Sequence, residues 1–457
     1  MFVSIWNVLT QRGNNALHKL NNGIGTICLL HENPDMRNRP LLILMLMLSA
    51  LDLASTGAFY FSLSEIKSFY GVSELELNML IFPPTIIAII LISQNCRFID
   101  SLGRRKFLRF FLSVYVLGCA IGLVGENFMW LLTARCIMAI GAAAFVTTAR
   151  SLTFELHSSD ERMRGVNYYA SGLALGMALG PFIASSVPFG RLMQAGFVVF
   201  GLTALACLVI NELTIEPSND FHAPAQSQYQ SQRSMAAMLS PIVMLLIMLT
   251  FAPSLYREMG TATTLVLIGA TWSIYTGGII LSSSKTHKFS IYSFWRKSRA
   301  FRLGITAFSL CFLVIGFNSF YIFNILKDSS QITWGTLGSA YSTGFLSSLI
   351  AWLVMYHLLP RTQGSKPFWM TGVALFGLYL VILVCITNGY GGVKAFALGA
   401  AVLGVASMFV LASTSMLTFR DLQQNRHEFG HALQIKNVLS QFFTLIGVIA
   451  SQIVFLH

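Results

Sequence analysis

Apolar residues run in blocks of about twenty along this chain, at 41–62, 76–94, 108–125, 128–150, 166–187, 192–211, 237–255, 262–282, 302–324, 333–357, 368–387, 392–417 and 434–455. An α-helix rises about 1.5 Å per residue, so each block is long enough to cross the ~30 Å hydrocarbon core of a bilayer. Thirteen membrane-spanning helices are predicted, and the fold class expected is all-α and polytopic. Polar residues gather in short loops between the blocks. One longer polar stretch runs from Glu216-Pro217-Ser218-Asn219-Asp220 to Gln226-Ser227-Gln228-Tyr229-Gln230-Ser231-Gln232 and separates six blocks from the seven that follow. Within a block, hydrophobic period is uninformative, because lipid and bundle interior are both apolar.

Composition agrees with a membrane protein. Hydrophobic residues make up 55% of the 457 and charged residues 11%, against about 25% charged in a soluble domain. With a mean hydropathy of +0.66, the chain carries more apolar surface than a soluble fold can hide from water. A net charge of +12 and a pI near 9.5 also suit a nucleic-acid binder, so the position of each charge decides. With the N-terminus taken as cytoplasmic, most of the 30 Lys and Arg fall in inside loops, among them five from Arg97 to Arg109, Arg150, six from Lys285 to Arg302, and Lys436. Lys67, Arg191, Arg257, Lys327 and Lys394 fall outside, and Arg135 lies within a span. Cytoplasmic loops retain cations. Topology therefore accounts for the basic pI, the partner expected is the lipid bilayer, and no nucleic acid is called for.

The ends of the chain are less regular. The first forty residues lack the form of a cleavable signal, since Arg12 and Lys19 precede Asn-rich sequence and only a short apolar stretch at Ile24–Leu30. A surface-lying amphipathic segment with Phe2, Ile5, Trp6, Val8 and Leu9 as its apolar contacts and a disordered leader both fit. An odd number of spans leaves the C-terminus outside, at His457 directly after an apolar block: either there are thirteen spans or a final helix is absent. The seven cysteines are scattered among the blocks and read as small packing residues rather than a disulfide framework or metal cluster.

Asp52, halfway along the first block, is the one carboxylate that hydropathy places deep inside a span. Such a group costs several kcal/mol unless it is neutralised, paired or hydrated, and marks a functional site by default. Two roles fit it: a proton carrier, or a carboxylate hydrogen-bonded to pin the first helix. Arg135, in the fourth block, is the intramembrane cation and the candidate coupling partner; a purely structural charge is the alternative. Other carboxylates, such as Glu65, Glu126, Glu155 and Glu212, sit near block ends. Pro83-Pro84 should kink the second helix and expose carbonyls to a cavity.

Three stretches, taken in order, carry a family resemblance. After the second block, Cys96-Arg97-Phe98-Ile99-Asp100-Ser101-Leu102-Gly103-Arg104-Arg105-Lys106 is a tight, cation-rich turn in which Gly103 can take dihedrals other residues avoid and Asp100 can pair with neighbouring cations. It resembles the loop 2–3 signature of the major facilitator superfamily, G-x-L-A-D-R-x-G-R-R. Asp100, Gly103, Arg104 and Arg105 match, while Cys96 replaces the first Gly and Ser101 the first Arg. A cluster that merely orients helices is the alternative. Leu132-Thr133-Ala134-Arg135-Cys136-Ile137-Met138-Ala139-Ile140-Gly141-Ala142-Ala143-Ala144 resembles R-x-x-Q-G-x-G-A-A, with Met138 and Ala139 in place of Gln and Gly. Gly176-Met177-Ala178-Leu179-Gly180-Pro181 resembles the antiporter signature G-x-x-x-G-P; small residues four apart let helices approach, and Pro181 bends the helix.

The resemblance extends to a branch. Leu51-Asp52-Leu53-Ala54-Ser55-Thr56-Gly57-Ala58-Phe59 is similar to a divergent L-D-x-T-x-V-N-x-A segment of fourteen-span drug:proton antiporters (EmrB/QacA-like). Phe294-Trp295-Arg296-Lys297-Ser298-Arg299-Ala300-Phe301 and Tyr321-Ile322-Phe323-Asn324-Ile325-Leu326 resemble that branch's F-R-N-R-x-F and Y-L-Q-N-V-L segments at the two ends of core helix seven. The resemblance implies a cytoplasmic leader at 1–39, a six-helix bundle at 40–213, a polar link with two inserted spans at 214–300, and a C-terminal bundle at 301–457 that lacks core helix twelve.

It also implies a transporter rather than an enzyme, in a bacterial inner membrane or plasma membrane, exporting small amphipathic compounds by alternating access. No cofactor is needed beyond a proton gradient. Asp52 and Arg135 would couple protons, Asp100, Gly103, Arg104 and Arg105 would form a conformational latch, and Gly176, Gly180 and Pro181 a packing hinge. The scarcity of intramembrane carboxylates disfavours multivalent cations as substrate. Phe320, Asn324 and Tyr341 are candidates equally for cavity lining and for packing, so no substrate-binding residue is assigned. Uptake of a nutrient or siderophore by the same fold, and a degenerate non-transporting or lipid-handling member, remain alternatives. The branch sometimes works with a periplasmic adaptor, for which this sequence carries no signature.

One motif points elsewhere. His427-Glu428-Phe429-Gly430-His431 is a literal H-E-x-x-H, the spacing that sets two imidazoles on one helical face for zinc. A third ligand is needed, yet no Asp or Glu follows from Ala432 onward, and His457 would sit at the opposite membrane face. No metal site is expected.

Overall fold

Helices form at every apolar block the sequence marks. The structure is a computed structural model that describes residues 38–156, 158–186, 191–215, 239–283, 298–329, 333–362, 364–390, 392–420 and 426–455. The leader, the Gln/Ser-rich link and the basic stretch through Lys297 lie outside the described residues. In chain order the helices are α1 (Arg39–Tyr70), α2 (Glu74–Ile92), α3 (Asn95–Leu102), α4 (Arg104–Val124), α5 (Phe128–Ala142), α6 (Phe145–Ser151), α7 (Ser159–Ser185), α8 (Arg191–Thr214), α9 (Leu239–Thr250), α10 (Ala252–Met259), α11 (Thr261–Ser283), α12 (Arg299–Ser329), α13 (Trp334–Leu358), α14 (Lys366–Thr387), α15 (Gly392–Phe419) and α16 (Arg426–Phe455).

Among the described residues ten helical segments are long and apolar enough to cross a membrane. The block at 237–255 is broken at Phe251 into α9 and α10. The helix at 262–282, α11, is not among the ten, and the helix at 166–187, α7, also falls outside them. It opens with Asp160, Glu161, Arg162 and Arg164 and packs between α1 and α13, so it needs less apolar surface than a lipid-facing helix.

Local chemistry sets the boundaries. α1 ends because Gly71 takes φ +62°, a left-handed conformation that costs side-chain-bearing residues energy. Ser73 with Glu76, and Ser158 with Glu161, form capping boxes that start α2 and α7 and satisfy orphan backbone donors. α2 runs as one helix through Pro83 and Pro84, and just beyond them the Thr85 hydroxyl donates to the Ile81 carbonyl at 2.7 Å.

Packing divides the helices into two groups with one plan. In the first, α1 packs on α7 and α5 touches both α2 and α4; in the second, α12 packs on α16 and α15 touches both α13 and α14. The groups meet through α7 with α13, α2 with α16 and α1 with α12. One close seam is α1 on α7, where a Cβ on Gly176 would lie 2.6 Å from the Ala50 carbonyl oxygen and one on Gly180 2.7 Å from that of Ala54. Gly172, one turn earlier, meets Ser49 and the Leu46 carbonyl in the same way. These three glycines at four-residue spacing let two backbones touch.

Candidate functional site

Where the two groups face each other they enclose a cavity of about 320 Å³. Its wall is mostly apolar and aromatic, with Tyr60, Tyr169, Phe308, Phe312 and Tyr341 among the rings. Four charged side chains line it: Asp52 from α1, Arg135 from α5, Arg150 from α6 and Lys436 from α16.

Asp52 is half-buried on the cavity wall. Among the described residues its carboxylate takes part in no ion pair and accepts no hydrogen bond; Ser55 donates to its backbone carbonyl at 3.1 Å instead. Lys436 and Arg135 are the cations whose charges reach it across the cavity they share. Arg135 faces the same cavity but stacks its guanidinium on the Phe59 ring, 3.8 Å from the centroid, and its buried Nε has no hydrogen-bond partner. The carboxylate and the cation are thus brought into one chamber without being paired.

Lys436 is the residue that sequence reading misplaced. Counted there as an inside-loop charge at the start of the 434–455 block, it lies ten residues into α16, about 15 Å along the helix axis, because the helix begins at Arg426. Its ammonium donates to Asn437 at 2.8 Å and lies 5.4 Å from the Phe308 ring and 5.9 Å from that of Phe312. Arg150, also counted as a loop charge, belongs to α6. The α5 helix breaks after Ala142, and the short helix beyond the break carries Arg150 to the cavity, between the rings of Tyr169 at 5.7 Å and Phe429 at 5.9 Å. The only advance signal was a helix start upstream of the apolar block, in the charged Arg426-His427-Glu428 stretch.

The loop 2–3 cluster sits at one end of the bundle. Gly103, with φ +74° and ψ +153°, forms the corner between α3 and α4, a conformation that disfavours any residue with a Cβ. Arg104 pairs with Glu155, in the short 3-10 turn Leu152–Glu155 that follows α6. Arg105 donates to Glu212 through Nε at 3.0 Å and to the Glu212 backbone carbonyl at 2.7 Å, and Arg109 reaches the same carboxylate at 2.7 Å. Two of the carboxylates that the sequence placed near block ends thus anchor the signature arginines, and the cluster braces α4 to the ends of α6 and α8 within one helix group. At this end the other group supplies Phe429, whose ring lies 4.9 Å from that of Phe154, and Gly430, which faces the Cys96 thiol. His431 pairs with Gln434 at 3.2 Å; the side chains of His427 and Glu428 lie outside the described residues.

The opposite end is closed by a different set. Trp334 donates through Nε1 to the Ala184 carbonyl at 3.1 Å and its ring lies 4.0 Å from that of Phe61. Buried Gln452 donates to buried Asn78 at 3.0 Å, and Gly338 abuts Ser185 and the Pro181 carbonyl. Gly176 and Gly180 therefore serve the seam between α1 and α7 within one group, while Pro181 reaches the junction between groups. Nearer the middle, Asn437 donates to Thr147 at 2.9 Å and Trp352 to Asn167 at 2.7 Å, both across that junction. Tyr341 lines the cavity, and Asn318 behind it bonds both Tyr341, at 3.3 Å, and Tyr379. The side chains of Phe320 and Asn324 lie outside the described residues.

Comparison with known proteins bears on this arrangement. The model of the Major Facilitator Superfamily matches residues 42–448. An uncharacterised MFS-type transporter of Bacillus subtilis, YbcL, is 29% identical over 112 residues, a match that spans 24% of this chain and 27% of that protein. Among solved structures, a bacterial homologue of the human lysosomal transporter Spinster, inward-facing and unoccupied, superposes with a TM-score of 0.56 at 13% identity, over 90% of this chain and 81% of that one. The human organic anion transporter MFSD10 does so with 0.54 at 16% identity, over 92% and 93%. An auto-inhibited POT family peptide transporter gives 0.57 at 14% identity, over 91% and 89%. At these identities the structures share the fold alone.

Proposed function

The chain belongs to the Major Facilitator Superfamily and is an integral membrane transporter, and from that premise we propose that it is a proton-coupled antiporter exporting small amphipathic compounds. It works by alternating access, the two helix groups rocking about the central cavity so that one end opens as the other closes. Its N-terminus is cytoplasmic, by the excess of Lys and Arg in the loops on that side. Asp52 carries the proton. The observation that supports this reading is a carboxylate on the cavity wall, held near Lys436 and Arg135 and paired with neither. A carboxylate left unpaired in a chamber whose wetting changes as the groups rock can load a proton on one side and release it on the other.

The closed set at the Trp334 end and the brace at the Arg104 end belong to the same reading. When the cavity faces one side, Trp334 with Ala184 and Gln452 with Asn78 seal the other. When it faces the opposite side, those contacts part and the Phe154–Phe429 end closes further. A ligand that binds one arrangement better than the other biases the exchange by its difference in affinity and no more. Arg135 and Lys436 set how readily Asp52 ionises in each arrangement.

Flux in everted membrane vesicles tests the proposal, with a panel of amphipathic fluorophores and an imposed pH gradient. Wild type is expected to accumulate a subset of the panel in the gradient, and Asp52→Asn to lose that accumulation while retaining gradient-free exchange. If the substitution leaves gradient-driven flux intact, Asp52 is not the coupling group. If wild type moves compounds only in right-side-out vesicles, the direction is uptake.

A further inference from the structure

Among the described residues, the four charged side chains on the cavity wall do not balance. Three are cations and one is a carboxylate. Among the described residues none of the four takes part in an ion pair, although Lys436 feels both the attraction of Asp52 and the repulsion of Arg150 across the chamber. Arg150 and Lys436 repel each other, yet they stand on α6 and α16, which belong to opposite helix groups, and both face the cavity. One terminal nitrogen of Arg150, Nη1, is buried and has no hydrogen-bond partner, and the same holds for Arg135 Nε. Buried donors on a cation are costly to leave unsatisfied, and a wall that sets Arg150 and Lys436 on one cavity gains most from an anion between them.

We infer that Arg150 and Lys436 form the head-group subsite for an anionic substrate, a compact carboxylate or sulfonate on an aromatic body. The aromatic body follows from what surrounds the cations: Phe308 and Phe312 on the Lys436 side and Tyr169 on the Arg150 side, which offer ring faces and little hydrogen bonding. Asp52 neutralises at most one of the three cations. Positive charge therefore remains for the substrate whether or not Asp52 holds a proton, so the anion subsite is distinct from the proton site. Because the subsite draws one cation from each helix group, a bound anion also ties the groups together at the chamber and is released when they part.

The inference rests on reading the cavity as the transport site, but its test needs no gradient. Purified full-length protein in zwitterionic lipid nanodiscs is titrated with three matched ligands: 2-naphthoate, 2-naphthylmethanol and 2-naphthylmethylammonium. The anion is expected to bind at least about tenfold tighter than either of the others, the scale of one charge-assisted contact. Lys436→Gln and Arg150→Gln are each expected to abolish that preference, and Lys436→Arg to keep it, which separates lost charge from lost folding. Preference for the ammonium, no binding by any of the three, or a naphthoate preference that survives both Gln variants overturns the inference. A second titration in nanodiscs containing phosphatidylglycerol distinguishes two sources of the same chemistry. Competition by the lipid identifies the head group as a phospholipid's, and its absence identifies a free organic anion. Failure of Asp52→Asn to uncouple flux would leave the naphthoate result standing, so the two readings fail separately.

Discussion

At the level of single residues, what was legible was the expensive charge and what was hidden was its company. Asp52 and Arg135 declare themselves, because a charge in the middle of an apolar run has no cheap explanation. Lys436 and Arg150 did not, because a cation at the edge of an apolar block looks like an ordinary flanking charge until the true helix start is known. The glycine of the loop 2–3 turn is legible for a different reason: Gly103 sits at φ +74°, and Gly103→Ala is expected to cost about 1–2 kcal/mol of stability from backbone strain. Thermal unfolding in detergent measures it. The Asn318 network behind the cavity offers a second residue-scale prediction. Tyr379 donates to the Asn318 carbonyl oxygen in a buried setting. Tyr379→Phe removes the donor and leaves that acceptor unsatisfied, so a loss of about 1–3 kcal/mol is expected in the same assay.

At the level of helices, the small-residue spacing of α7 reads correctly as close approach, though not as to partner. The sequence states that Gly176 and Gly180 share a face; it does not state that the opposing surface is the backbone of α1, nor that Gly172 extends the same seam. Gly176→Leu puts a side chain where the Ala50 carbonyl stands 2.6 Å from a Cβ, and overpacking of that kind costs about 1–3 kcal/mol or more. Gly377→Leu in α14, where a Cβ meets nothing within 4 Å, is the matched control and is expected to be near neutral. A drop for Gly176→Leu no larger than that for Gly377→Leu would show that the seam does not depend on Gly176. The brace at the loop 2–3 turn follows the same logic. The arginines are legible as a motif, whereas Glu155 and Glu212 become their partners only because α6 and α8 end beside the start of α4.

At the level of the whole molecule, the two ends of the bundle are held by contacts from opposite helix groups, and these are what an alternating cycle must break. Asn78→Cys with Gln452→Cys, in a background free of the native cysteines, joins two side chains that now share a 3.0 Å hydrogen bond. A short thiol cross-linker is expected to form the bridge readily and to stop transport until it is reduced. Transport that continues in the bridged protein would show that this end need not open. The Cys96 thiol reports on the other end. It lies on α3, outside the spans, against Gly430 of the opposite group; burial, with the neighbouring Asp100 charge, pushes its pKa up to about 12. At neutral pH it then holds about a thousandfold less thiolate than an ordinary cysteine, so alkylation is expected to be slow, and to quicken when this end parts. Rapid alkylation of the closed arrangement would contradict that packing.

The sequence by itself determined the solvent, the helices and the family, because apolar length, charge asymmetry and short turn motifs are local properties that survive without knowledge of neighbours. It also determined that Asp52 and Arg135 were worth explaining. Only the tertiary structure decided what those charges face. A side chain's partner across a bundle is set by which helices pack and at what depth, and the pairings of α7 with α13 and α2 with α16 join residues more than a hundred positions apart. The isolated carboxylate of the first helix is, in the folded chain, one acid among three cations drawn from three other helices.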